Sequence, residues 1–128
     1  MEKINIISMA KAMNAHAAAR QSVVARNVAN ADTPGYKAAD LPDFTQVWRD
    51  APQGGMRATR PGHLSESAFT RPAARPVVDA NGDKNPNGNT VSLETEMLRA
   101  ANIKREHDLS LTIYKSSLGL MRSSLGRR

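Results

Sequence analysis

The chain has 128 residues, enough for one domain, and carries 18 Lys/Arg against 12 Asp/Glu for a formal net charge of +6. It has no cysteine, which excludes disulfides, thiolate catalysis and cysteine metal sites together, and aromatics make up only 4% of it, too few for the large pieces of a compact enzyme core. The basic excess is spread along the chain, four against two in residues 1–36, seven against six in 37–88 and seven against four in 89–128. No aromatic residues interleave with it to stack on bases, so it reads as a solvated surface.

From the N-terminus, Ile6, Ile7, Ala10, Met13, Ala17, Val24 and Val28 recur at three- and four-residue steps and predict one apolar stripe on a helix. The alanines between them favour helix and allow a partner helix to come close. Asn5, Ser8, Lys11 and Asn14 interrupt any apolar run, so the segment does not read as a cleavable secretory leader. Nor does any stretch approach the ~18 apolar residues of a membrane span. The helix closes on Asn30-Ala31-Asp32-Thr33-Pro34-Gly35-Tyr36, where Pro34 and Gly35 suit the two central positions of a type II turn.

All seven prolines, from Pro34 to Pro86, lie in the middle of the chain with six of the eight glycines. Proline breaks helix interiors at a cost of about 3 kcal/mol or more, so the ends are free to be helical and the middle cannot be one long helix. Within it, Leu41 to Trp48 predicts a short anchor with Phe44 and Trp48 one turn apart, and Pro76 to Asp79 a short strand. Turns are expected at Gln53–Gly55, Arg60–His63 and Asn81–Asn89.

The last segment opens with Ser92 as a candidate N-cap, followed by Glu94 and Glu96 in the first turn. A heptad counted from Met97 places Met97, Lys104, Leu111, Leu118 and Leu125 at one seam position and Ala100, His107, Tyr114 and Met121 at the other. Lys104 and His107 then interrupt the seam as polar residues. Leu98, Leu109, Ile113 and Leu120 form a second apolar face, more than one short partner helix can cover, and part of it should face other subunits. The expected packing residues are Ile7, Met13, Ala17 and Val24 on the first helix, with Met97, Leu111, Tyr114, Leu118, Met121 and Leu125 on the last. The fold class is mainly α: two long terminal helices paired as an antiparallel hairpin or coiled coil around a loop-rich middle. Its divisions are a 1–33 helix, a 34–89 Pro/Gly-rich middle and a 90–128 helix, one assembly domain in total.

No chemistry-bearing motif survives inspection. Asp79-Ala80-Asn81-Gly82-Asp83 begins like a calcium loop, but Lys84 and Thr90 stand where the turn glycine and bidentate glutamate would be needed. His16, His63 and His107 lack ligand spacing, and neither a phosphate-cradling glycine motif nor a nucleophile elbow is present. The expectation is a non-enzyme without metal or cofactor.

Ala25-Arg26-Asn27-Val28-Ala29-Asn30-Ala31-Asp32-Thr33-Pro34-Gly35-Tyr36-Lys37 resembles the N-terminal signature of bacterial flagellar axial proteins, those of the rod and hook. The short length and Gly88-Asn89-Thr90-Val91-Ser92-Leu93-Glu94-Thr95-Glu96-Met97 resemble the members that build the proximal rod. Two departures stand out: Arg105-Glu106-His107 where relatives usually carry an aromatic, and the charged tail Arg127-Arg128.

The resemblance implies a tube of subunits whose terminal helices line its inside, in the periplasmic rod of the basal body, reached through the flagellar type III export apparatus without a cleaved signal. It implies that Asn27, Ala29, Asn30, Asp32, Thr33, Pro34, Gly35 and Tyr36 set the turn leaving the inner helix and shape contacts with a neighbour. Expected partners are other rod proteins, the rod/MS-ring junction protein and MS ring, the export apparatus and further copies of the chain, with no nucleic acid. A small basic nucleic-acid-binding protein, or a helical flagellar export chaperone or regulator, are the alternative readings.

Overall fold

The computed structural model describes residues 2–50, 74–78 and 84–126. The turns expected at Gln53–Gly55 and Arg60–His63, and the start of the Asn81–Asn89 stretch, lie outside these residues. Two long helices dominate: α1, Glu2–Ala29, and α3, Leu93–Ser124. Between them come β1 (Ala39–Asp40), α2 (Phe44–Asp50) and β2 (Val77–Val78). The two strands pair antiparallel, Ala39 with Val78 and Asp40 with Val77.

At 1.5 Å per residue the long helices span about 42 and 48 Å. They run antiparallel. Asn27 bonds Glu96 near one end, Ala17 and Val24 pack on Ile103 in the middle, and the Lys11 ammonium lies 5.9 Å from the Tyr114 ring centroid toward the other end. α1 stops at Ala29, four residues short of the 1–33 span expected from sequence. The Asn30 side chain donates to the Arg26 carbonyl at 2.8 Å, and Thr33 precedes Pro34, which disfavours helical geometry before it. Ser92 caps α3, its hydroxyl accepting from the Thr95 N–H at 3.5 Å.

The core between the helices is thin: Ala17, Val24 and Ile103 with Ala100 against them. The residues of α3 buried against α1 are Glu96, Ile103 and Ser110, a heptad line one residue earlier than the expected Met97–Lys104–Leu111–Leu118 seam. On the described chain Met97 is 73% and Leu125 83% exposed, while Leu111, Leu118, Tyr114 and Met121 are half-buried. Lys104 is exposed rather than interrupting the interior, and His107 is half-buried beside Asp108. The reason for the shift is steric. α1 presents Ala10 and Ala17 to α3, and so small a surface draws in a line of one isoleucine, one serine and a glutamate paired with Arg99. The bulkier leucines are pushed round to the sides. Ala17 and Val24 are buried as α1 packing residues, and Ile7 and Met13 are half-buried.

Residues 36–44 run as a strap along one side of this hairpin. His16, Arg20, Val23 and Asn27 share that side of α1 at steps of three and four residues. His16 and Val23 are buried there, and the His16 Nε2 donates to the Pro42 carbonyl at 2.8 Å. Phe44 lies edge-on to His16 with centroids 5.7 Å apart, and Trp48 follows Phe44 at 5.6 Å. On the opposite side of α1, Ala18, Gln21 and Ala25 are exposed. Among the described residues no helix is long and apolar enough to cross a membrane.

Candidate assembly site

The turn that leaves α1 is held by two asparagines, both fully buried. In the turn itself, the Thr33 carbonyl accepts from the Tyr36 N–H at 3.3 Å, with Pro34 and Gly35 between them. Gly35 has φ +71°, the left-handed value that the third residue of a type II turn requires. No atom lies within 4 Å of where a Cβ would stand on Gly35, so conformation and not space makes glycine the fitting residue.

Asn27 sits in the last turn of α1 and faces the strap and α3 together. Its amide nitrogen donates to the Ala39 carbonyl at 2.7 Å and to Glu96 Oε2 at 3.1 Å. Its amide oxygen accepts from the Ala39 N–H at 3.2 Å and the Tyr36 hydroxyl at 3.4 Å. One side chain thus stands in for a strand neighbour of Ala39, using donor and acceptor at once. A carboxamide offers both on one planar group.

Asn89 closes the other half. Its amide nitrogen lies 2.9, 2.7 and 2.8 Å from the carbonyls of Asn30, Ala31 and Thr33, and its oxygen accepts from the Val91 N–H at 2.7 Å. Carbonyls beyond a helix C-terminus have no intrahelical partner, and Asn89 supplies one from 56 to 59 residues away. The backbone follows suit. The Gly35 N–H donates to the Asn87 carbonyl at 3.0 Å, the Thr90 N–H to the Tyr36 carbonyl at 3.0 Å, and the Ala38 N–H to the Thr90 hydroxyl at 2.8 Å. The C-terminus of α1 and the start of α3 are therefore one hydrogen-bonded unit.

Ion pairs extend this unit along the strap side. Arg20 forks onto Asp40, Nε to Oδ1 and Nη2 to Oδ2, both at 2.9 Å, and also approaches Asp43 at 3.6 Å and Glu106 at 3.5 Å. Arg99 joins Glu96 at 2.6 Å and Asp40 at 3.6 Å. Burial works against the charged form of Asp40. The Arg20 hydrogen bond, the Leu41 N–H and the charges of Arg20 and Arg99 outweigh it and hold the carboxyl below the usual carboxylate range. The same bond to Asp40, against the desolvation of burial, raises Arg20 above its ordinary value. Most of these polar groups bond another part of the same chain, though the buried His16 Nδ1 has no partner, and no group of three or more potential ligands among the described residues could hold a metal ion.

Of the turn residues singled out from sequence, Asn27, Asn30, Thr33, Gly35 and Tyr36 share these bonds. Ala29, Asp32, Thr33, Pro34 and Gly35 are exposed and present a face to the outside. Sequence reading missed Asn89, Glu96, Arg20, Asp40, Arg99 and His16 as parts of the site. The available signal was the Gly88–Met97 stretch, where an asparagine three residues before a capping serine sits in what otherwise reads as a plain turn.

The family model for the flagella basal body rod protein matches residues 10–37, most of α1 and the whole turn. The flagellar basal body rod protein FlgB of Agrobacterium fabrum is 35% identical over 131 aligned residues, covering 99% of this chain and 97% of that protein. The chain belongs to the flagellar basal body rod protein FlgB family. FlgB of Escherichia coli K12 is 33% identical and FlgB of Salmonella typhimurium 30%, each alignment covering 81% of both chains. The near-complete coverage means that the FlgB relationship includes α3 and the asparagine-bearing loop before it, beyond the turn on which the family model rests.

Proposed function

We propose that the chain is a structural subunit of the proximal rod of the flagellar basal body, without enzymatic activity, that assembles by helix packing into the shaft needed for motility. The observation that carries the reading is the family relationship over essentially the whole length. The geometry supports it, since a long two-helix hairpin leaves Met97, Leu98, Leu109, Leu120 and Leu125 exposed. A lone chain gains nothing from so much uncovered apolar surface, and an assembly can bury it. The helices and the clasped turn form the scaffold, and the exposed face of the turn at Asp32, Pro34 and Gly35 contacts a neighbouring subunit.

In this reading the rod position lies in the periplasm, and the chain reaches it through the flagellar type III apparatus without a cleaved leader. The other rod proteins and the rod/MS-ring junction are its neighbours, and further copies of the chain its companions. A strain lacking the chain, complemented with an epitope-tagged copy, tests the proposal. Swimming should return with the copy, and the tag should co-purify with basal bodies at its full translated length. Recovery of the tag only in the cytoplasm, with basal bodies complete without it, would overturn the rod assignment and favour a chaperone or regulator.

A further inference from the structure

We propose that the cleft beside the α1 turn receives an arginine or lysine side chain from a different protein of the rod, held by the Asp32 carboxylate. The inference rests on the rod assignment and on the outward face of the turn, and it names the chemistry that this face meets. The cleft lies at the clasped end of the hairpin, between the turn and the start of α3, and encloses about 550 Å³. Ala31, Ala38, Val91 and Leu93 give it apolar wall, and Asn85 and Thr90 polar groups.

Asp32 stands exposed on this cleft, and its carboxylate has no hydrogen bond or ion pair to any described residue. The carboxylates around it are different. Glu96 lines the same cleft but is buried and bonded to Asn27 and Arg99, and Asp40 is held by Arg20 and Arg99. Arg99, the cation among the lining residues, is thus engaged twice on its own chain. Two acids against one arginine leave the cleft lining one negative charge on a chain of net +6.

The position of Asp32 points the same way. It follows the C-terminus of α1, where the helix dipole carries partial negative charge and favours a cation. The positive end of α3 is already answered by Glu94 and Glu96 in its first turn. A carboxylate at position 32 therefore gains nothing within the single chain, whereas a basic side chain brought from outside satisfies it. Such a side chain also suits the walls, since its methylenes can lie along Ala38, Val91 and Leu93 while its charged head reaches the rim. Arginine adds a fork that matches a carboxylate. The place of the cleft selects the source. An end-on contact between copies would continue into a filament of this chain alone. A shaft that passes from this subunit to other rod proteins needs an end that a different protein covers.

Strains complemented with tagged Asp32→Lys, Asp32→Asn or Asp32→Glu test the proposal, alongside thermal melts of the purified variants. Asp32→Lys should lower the tag in basal bodies at least about tenfold, because it sets two cations against each other, and Asp32→Asn should lower it less. Asp32→Glu should stay near the native level. The melts of Asp32→Lys and Asp32→Asn should coincide with that of the native chain, since the carboxylate holds nothing in its own subunit. Selection of the Asp32→Lys strain for restored swimming should yield a basic residue changed to an acidic one in another rod protein. Such changes arising elsewhere in this chain would give the cleft to a second copy and overturn the proposal. A lowered melt would also overturn it, by showing that Asp32 serves its own fold. Native levels of Asp32→Lys in basal bodies would sink the inference while leaving the rod assignment intact, which falls only if the native chain is absent from them.

Discussion

Asn27 and Glu96 meet at 3.1 Å with Asn27 fully buried, and the chemistry of that pair sets a strict requirement on position 27. Asn27→Ala should cost about 1–3 kcal/mol by leaving the Ala39 groups and Glu96 short of a partner. Asn27→Asp, though nearly identical in shape, should be worse, at about 3–5 kcal/mol, since it removes the donor and faces Glu96 with a second buried carboxylate. Urea midpoints of the two variants give the order, and an aspartate variant as stable as the alanine one would refute the role of the donor. Asp40 makes a pH prediction. Its carboxyl is held below the usual range in the folded chain, so its stabilisation is present above the unfolded carboxylate value and lost as pH falls through the folded one. Native stability should therefore decline on acidification more steeply than that of Asp40→Asn, and parallel acid profiles by circular dichroism would count against the Arg20 bond. At this scale the turn was legible because Pro34 and Gly35 carry their backbone preferences with them. Asn89 was not, because a carboxamide announces neither its partners nor a contact 56 residues away.

For the helices, legibility divides along another line. The proline-free ends predict α1 and α3, and Ser92 marks where α3 begins, because capping and proline geometry are local. The facing register escaped, since a heptad count weights large hydrophobes and the close approach of α1 selects small ones. The consequence can be measured. Ile103→Ala should destabilise the hairpin by about 2–5 kcal/mol, the range for a buried branched side chain reduced to alanine. Leu120→Ala, on an exposed position of the same helix, should stay within about 0.5 kcal/mol. Thermal melts of the two variants compare them directly, and equal losses would mean that Leu120 is covered within the single chain. The strand pair Ala39–Asp40 with Val77–Val78 is too short for its pattern to be read alone, although the second strand is hinted at by the consecutive valines.

At the scale of the whole molecule, stability and assembly reside on different surfaces. The clasp at the turn and the line Glu96, Ile103, Ser110 hold the monomer together, whereas Leu98, Leu109 and Leu120 stand clear of it. Leu109→Lys combined with Leu120→Lys should therefore leave the melting of the isolated chain almost unchanged and strongly reduce its incorporation into basal bodies. Unaltered incorporation would move the subunit contact away from this face. Composition and proline placement alone determined that the chain has two helical ends, a broken middle and no cysteine chemistry, because those properties belong to residues one at a time or to near neighbours. Which side of each helix turns inward, which asparagines lock the turn and which leucines remain outside were decided only when α1 and α3 came together. Burial and hydrogen bonding between distant segments depend on how closely two backbones approach, and no single stretch of the chain contains that distance.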